Sequence, residues 1–443
     1  MLGRVNFLRF GREARATLHQ AWSRLWFQRR STSPLELARM GIGAALLLNY
    51  GMATPYLFEF WGDAGWMPRA LVFMDITDAW TQSVFFYFTA PWQWIAFHVL
   101  FLLCCAAFMF GWRTSWVKWI VLVGHISYNN RNLILAYGVD QILAGLLLIL
   151  CLAPIGRAMS LDRVRAVRGV KRIGLEGTLP PYASPWAGAC TRLVQIQMAV
   201  LFFNSGAKKI RGDDWWNGDA IWLVFTSNEY HNSVLLDLFA SHYWLVNIAT
   251  YSTMLIEIAF PFLIWQHRTR PYLLAAAVFL HLQFAILMGM PYFSFVMIMG
   301  HMSFVRPEWL ARLGEAWRRR MGEMEMIYDG RCGFCVRSMA WFLSFDGLGQ
   351  IKIRDFRTNP SPVVSDAQME EALYLVLSDG RALPGFEAYR YVVARVPGLW
   401  WQVPFFYVPV FSRRFGRPIY NWIASNRSRL SSVRMGLPRP LLK

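Results

Sequence analysis

Charge is the scarcest feature of this chain. Asp, Glu, Lys and Arg together make up 16% of its residues and hydrophobic residues 56%, where soluble domains carry about 25% charged residues. The deficit is uneven and falls in blocks long enough to cross a bilayer, for which about 20 apolar residues are needed. Acids are scarcer than bases, 27 against 45, and the net charge is +18. A nucleic-acid partner does not follow from that excess. The arginines form no single stripe interleaved with stacking aromatics; they cluster in short segments between apolar runs, as in the cytoplasmic loops of membrane proteins. Cysteine is also rare. Cys104, Cys105, Cys151 and Cys190 lie in or beside apolar segments, and only Cys332 and Cys335 form a spaced pair, which excludes a secreted disulfide framework. Residues 1–30 hold no continuous apolar stretch, so no cleavable signal peptide is expected. No internal repeat or low-complexity tract is present.

What the chain does have is order in its apolar segments. Met1–Ser31 carries seven arginines against Glu13, with Leu18, Trp22, Leu25 and Trp26 at helical spacing. This predicts a basic amphipathic helix on the inner membrane surface, with a disordered basic tail as the alternative. Eight apolar segments follow, near Leu35–Thr54, Val84–Phe110, Val117–Tyr128, Leu133–Pro154, Leu193–Ala207, Tyr243–Trp265, Tyr272–Met288 and Phe293–Val305. Basic segments recur at the N-terminus, at Arg157–Arg172 and at Arg306–Arg320. An even count of spans places all three on the cytoplasmic side of a cell (inner) membrane, with the acidic Pro55–Gln82 loop outside. Beyond Met321 the pattern becomes α/β. Strands are expected at Met324–Tyr328, Ile351–Asp355 and Ala372–Ser378, with a turn at Asp379-Gly380. Helices are expected at Cys332–Ser344, Phe386–Arg395 and Pro418–Ser425. The expected organisation is an amphipathic segment at 1–31, a membrane domain of about eight transmembrane helices at 32–306, a basic linker at 307–322 and a small α/β domain at 323–443.

Two segments carry chemistry. In the first, Asp329-Gly330-Arg331-Cys332-Gly333-Phe334-Cys335, the pair sits between a strand and a helix. Cys332 falls at the helix N-terminus, where unpaired amides and the helix dipole favour a thiolate. Cys335, one turn on, can resolve a mixed disulfide, and Asp329 and Gly330 suit the turn. Half of a zinc site is the alternative, but zinc takes four N or S ligands and neither a second cysteine pair nor a histidine follows Cys335. A purely structural pair is the third reading. The second segment runs from Phe203 through Lys208, Lys209, Trp215 and Gly218 to Ala220. It reads either as an interfacial anchor of snorkelling lysines and headgroup-level tryptophans, or as a partly desolvated lysine acting as a general base on a lipophilic substrate. His98, His125, His281 and His301 lie in or beside apolar segments, where each on its own reads as a hydrogen-bonded packing residue.

Both segments resemble known families. Tyr-Asp-Gly-Arg-Cys-Gly-Phe-Cys, the Gly385-Phe386-Glu387-Ala388 helix start and the closing Tyr420-Asn421-Trp422-Ile423-Ala424-Ser425-Asn426-Arg427 resemble the DCC family of thiol-disulfide oxidoreductases. That resemblance implies a thioredoxin-like fold with Cys332 attacking and Cys335 resolving. Thioredoxins place a cis-proline just before the strand opposite the pair, and no proline immediately precedes Ala372–Ser378 here. Ser-Gly-x-x-Lys-x-x-Gly-x-x-Trp-x-x-Gly, the Asn129-Asn130-Arg131-Asn132 turn before the fourth helix, and His281 with the following Pro291-Tyr292-Phe293 resemble the HTTM family, the membrane domain shared with vitamin K-dependent gamma-carboxylases, over roughly Leu35–Arg306. There the matching lysine deprotonates the reduced vitamin, a role that alignment puts on Lys209. Arg131 stands where the carboxylases carry a histidine, and protein carboxylation itself is not expected.

The resulting expectation is a polytopic α-helical membrane domain joined to a thioredoxin-like domain. It acts as a membrane-bound thiol-disulfide oxidoreductase coupled to a quinone-like, vitamin K-like ligand. Its expected partners are membrane lipids, a thiol or disulfide redox protein and the lipophilic quinone, with no nucleic acid and no metal. The alternatives are a carboxylase-like lipid-phase enzyme with Lys209 as general base, and a non-enzymatic membrane scaffold or transporter.

Overall fold

The computed structural model describes residues 17–75, 81–168, 182–230, 233–322, 324–346 and 348–426. The chain forms two compact units, one of residues 1–109, 115–154 and 183–305, the other of residues 110–114, 155–182 and 306–443.

The first unit is helical. Residues 17–27 form a helix in which Leu18, Trp22 and Leu25 are exposed and Trp26 is partly buried; residues 1–16 of that segment lie outside the described ones. The apolar segments become α1 Ser33–Met52, α2 Pro91–Phe110, α3 Thr114–Arg131, α4 Gly138–Leu152, α5 Pro185–Ile210, α6 Trp244–Leu263, α7 Arg270–Leu287 and α8 Pro291–His301. Among the described residues, α2, α5, α6 and α7 are long and apolar enough to cross a membrane. The others are shorter or more polar. In α1, for example, the fully buried Glu36 and Arg39 pair at 2.8 Å.

Prolines and caps account for the main differences from the expected boundaries. The Val84–Phe110 segment is split. Val84–Tyr87 is a short 3-10 turn, and α2 starts at Pro91, whose fixed φ suits a first helical position and ends the preceding run. The helix expected from Leu193 begins eight residues earlier, at Pro185, because the Ser184 hydroxyl accepts the Ala187 amide at 3.0 Å and caps it. Asn129-Asn130-Arg131 is the last turn of α3 rather than a loop. The chain leaves the helix at Asn132, whose side-chain oxygen takes the amides of Ile134 and Leu135 at 3.1 and 3.3 Å.

Helix α5 runs against α6, and the two backbones come close at Gly206. A Cβ there would lie 3.1 Å from the Ile258 side chain and 3.2 Å from the α6 backbone, so a small residue is what lets the helices meet. Nearby, the Phe202 and Phe260 rings stack at 4.1 Å.

The second unit is α/β. Strands β1 Met324–Tyr328, β2 Ile351–Asp355, β3 Tyr374–Leu377 and β4 Ala382–Pro384 form one sheet in the order β2-β1-β3-β4. The β1–β2 pair is parallel, and β3 and β4 are added antiparallel. Helix α9 Pro307–Met321 leads in, α10 Gly333–Phe345 makes the parallel crossover, α11 Gly385–Arg395 follows β4, and α12 Arg417–Ser425 is the last helix described. A βαβ unit followed by a hairpin and a helix is the thioredoxin-like arrangement. The expected strands and helices are present; β4 and a short helix at Asp366–Glu371 are additional. Met326, Phe342, Phe345, Ile351, Leu375 and Val392 fill the core. So does Val164, from the helix Leu161–Arg168 in the loop between α4 and α5. The same loop is tied to the start of α3, where the Asp162 carboxylate accepts the Arg113 and Thr114 amides at 2.9 and 2.7 Å.

Candidate functional site

Strand β1 ends at Tyr328 and α10 begins at Gly333, so the cysteine motif is the turn between them. Cys332 is the N-cap of α10, and its sulfur accepts the Cys335 amide at 3.3 Å. Both cysteines are half-buried and not joined in a disulfide. The hydrogen bond from Cys335, helped by the Cys335 and Phe334 amides, pulls the Cys332 thiol from 9.0 down to about 6, against the opposing pull of burial and of the Asp329 charge. This favours the thiolate, the form that attacks disulfides.

Asp329 is held away from free solvent. Its carboxylate pairs with Arg357 at 3.2 Å and accepts the Arg331 amide at 2.9 Å, while Arg357 also reaches Glu370 at 2.9 Å. Gly330 donates its amide to Asp355 at 2.9 Å, and a Cβ on Gly330 would lie only 2.0 Å from that carboxylate. Beside Cys335 a cavity of about 240 Å³ is lined by Phe334, Met339, Phe342, Leu373, Phe406 and Ile419 among others. Leu373, where the chain enters β3, stands in the wall of this cavity.

The second site is built across the α5–α6 crossing. Lys208 and Lys209 close α5 and point differently: Lys208 is exposed and Lys209 is half-buried. The Lys209 ammonium pairs with Glu257 of α6 at 2.7 Å, with side-chain exposures of 17% and 7%. It also donates to the Ser205 hydroxyl at 2.8 Å and lies 4.8 Å from the centre of the Trp215 ring. Gly218 sits at φ +86°, buried, with its carbonyl accepting the Asn247 amide at 3.2 Å, which ties the loop after α5 to α6.

The HTTM domain model matches residues 27–309. This chain belongs to the HTTM family. Residues 326–433 match the model of the DCC1-like thiol-disulfide oxidoreductases, so an HTTM membrane domain and a DCC1-like domain share one chain. No curated protein and no solved structure matches it significantly.

Within the HTTM domain the remaining expected site residues fall in different places. Asn130 donates to the Gln82 carbonyl at 2.8 Å. The fully buried Arg131 donates to the carbonyls of Met67 and Gly62 at 2.7 and 2.8 Å and pairs with Asp63 at 3.2 Å. Their partners are thus Gly62, Asp63, Met67 and Gln82, and not Lys209. The histidines divide into two kinds. His98 bonds Tyr128 at 2.7 Å and Thr54 at 2.9 Å, and His125 bonds Tyr50 at 3.0 Å and the Asp140 carbonyl at 3.1 Å. His281 is buried with neither ring nitrogen bonded among the described residues, and His301, 5.4 Å away between ring centres, leaves Nε2 unbonded. Phe202, Phe284 and Phe293 surround His281.

Sequence reasoning missed Glu257, Asp355, Arg357 and the pairing of His281 with His301. Glu257 left a signal, being the only charged residue between Tyr243 and Trp265, since a charge inside an apolar helix demands a partner. Asp355 and Arg357 left none, because nothing local says which residue at the end of β2 faces the turn after β1.

Proposed function

We propose that this HTTM protein is a membrane-bound thiol-disulfide oxidoreductase whose working pair is Cys332 and Cys335. The observation that carries the reading is Cys332 at the cap of α10, with its sulfur accepting the Cys335 amide. The Cys332 thiolate attacks a substrate disulfide, forming a mixed disulfide and releasing one thiolate, which takes a proton from water. Cys335 then gives up its proton and attacks the Cys332 sulfur, freeing the second substrate thiol. The substrate gains two electrons and the pair becomes the disulfide; the reverse sequence oxidises a dithiol. A redox protein bearing such a disulfide is the expected partner. The basic segments support a cell-membrane location with the N-terminus and the DCC1-like domain cytoplasmic.

The HTTM domain has features that suit a quinone-like ligand. Such a ligand needs hydrogen bonds at its oxygens inside apolar surroundings, and His281 and His301 offer unbonded ring nitrogens among phenylalanines. When bound, a quinone supplies two-electron redox chemistry within the bilayer. Lys209 fits a different task less directly. It is engaged by Glu257 at 2.7 Å, so a substrate would have to compete with that pair.

Redox titration of the purified protein, read by thiol alkylation and repeated with a reduced quinone, tests both parts. A reversible two-electron transition of Cys332–Cys335 supports the oxidoreductase reading, and its absence overturns it. A shift toward the dithiol only when quinol is present supports coupling to the HTTM domain; indifference to quinol removes the coupling and keeps the thiol chemistry.

A further inference from the structure

Exposed apolar side chains are unevenly spread over the second unit. Thirteen large hydrophobic residues are exposed there among those described, and ten of them fall within residues 400–422: Trp400, Trp401, Phe405, Tyr407, Val408, Val410, Phe411, Phe415, Ile419 and Trp422. A patch of this kind on a soluble surface marks an interaction site. Its charge is one-sided. No acid occurs between Val396 and Asn426, and the segment carries Arg413, Arg414 and Arg417. Arg417 pairs with Glu387 at 2.7 Å, while Arg413 and Arg414 are exposed. The segment runs as short helical turns from Pro397 to Gly416 and then into α12, so it presents side chains along a ribbon instead of folding over them.

We propose that residues 400–422 of the DCC1-like domain form a docking surface for a bilayer bearing anionic lipid headgroups. Tryptophan and tyrosine favour the depth of the headgroups, valine and phenylalanine enter the acyl boundary, and arginines without acidic neighbours match lipid phosphates. A protein surface would ask for a partner with shaped pockets; a bilayer asks only for aromatic bulk, positive charge and no acid, which is what this ribbon provides. The occupant is also at hand, because the same chain spans the membrane through its HTTM domain. The inference rests on surface composition and is independent of the thiol chemistry. It has a consequence for that chemistry all the same: α12 turns Trp422 outward and places Ile419, Tyr420 and Ile423 in the wall of the cavity beside Cys335.

The test uses the full chain in nanodiscs of phosphatidylcholine with or without phosphatidylglycerol. An environment-sensitive dye is attached at Val410→Cys in a Cys332→Ser/Cys335→Ser background, the four other cysteines being buried. The same dye at Val363→Cys, exposed elsewhere in the same domain, is the control and reports on folding. The expected result is quenching at 410 by spin-labelled acyl chains and shielding from aqueous iodide, with the reverse at 363. Replacing Arg413 and Arg414 by Gln should lower the docked-to-undocked ratio by about fivefold per charge, only in discs with the anionic lipid. Equal iodide quenching at both positions would overturn the proposal. So would shielding of 410 from both quenchers, which would mean that protein, either this chain's own helices or a second copy, covers the surface. Docking unchanged by lipid charge and by the arginine replacements would overturn it as well.

Discussion

The cysteine site and the lysine site solve opposite electrostatic problems. At the turn before α10 the fold gathers donors around one sulfur, and the Cys335 thiol, with the Cys335 and Phe334 amides, favours a negative charge on Cys332. At the end of α5 it gathers acceptors and a ring around one ammonium, with Glu257, Ser205 and Trp215 holding a charge already present. The first arrangement makes a group more reactive, and the second ties the end of α5 to α6 through an ion pair. The cysteine turn is built to react, while the lysine pair is built to hold two helices together.

Substitutions can break or sharpen that contrast. The largest effect is expected from Cys332→Ser, which should lower reduction of a small model disulfide by at least about a thousandfold, the scale on which loss of a nucleophile acts. Cys335→Ser should still attack and accumulate the mixed disulfide, visible by mass spectrometry; equal loss without an adduct would sink the assigned order. Next in size is a pH effect. Alkylation of Cys332 should follow a midpoint near 6 in place of 9.0. Because the folded value is the lower one, the thiolate's contribution to the reduced protein is fully present above pH 9 and is lost as pH falls through about 6. A midpoint near 9 would remove the helix-cap argument.

At the lysine site Glu257→Ala leaves a mostly buried ammonium unpaired and should cost about 3 kcal/mol, read as a drop in Tm in detergent. The double replacement Lys209→Met/Glu257→Leu should recover most of it, and failure to recover would mean that the pair does more than neutralise itself. Gly330→Ala forces a methyl against Asp355 and should cost about 1 kcal/mol or more, with slower disulfide reduction. Lys208→Ala, on the exposed neighbour, should change stability by less than about 0.5 kcal/mol; a larger change would show that both lysines serve the site.

The α/β domain was legible because its signals are local. Alternation marks β1 and β2, and Asp379-Gly380 marks the turn after β3, where Gly380 indeed has φ +82°. The cap position of Cys332 follows from a strand and a helix separated by one short motif. In the HTTM domain, apolar runs located the helices, but their ends depended on Pro91 and Ser184-Pro185, punctuation that a reading for hydropathy passes over. Long-range partners were illegible for a different reason. Glu257 meets Lys209 because Gly206 lets two helices approach, and Arg131 reaches the carbonyls of Gly62 and Met67 because of how α3 ends. Sequence spacing shows a charge that needs a partner but not which helix brings it. The arginines that begin at Arg157 draw attention from Val164, the apolar position that packs.

Val164 also sets an order of events. Its helix is synthesised before α5 to α8, and it ends as part of the DCC1-like core. That domain is therefore completed by a piece made long before the rest of it. A water-soluble fragment beginning at α9 would contain both cysteines, yet the α10 side of its core would be open where Leu161–Arg168 belongs. Restoring that peptide, in trans or spliced ahead of Pro307, is what such a fragment requires to close.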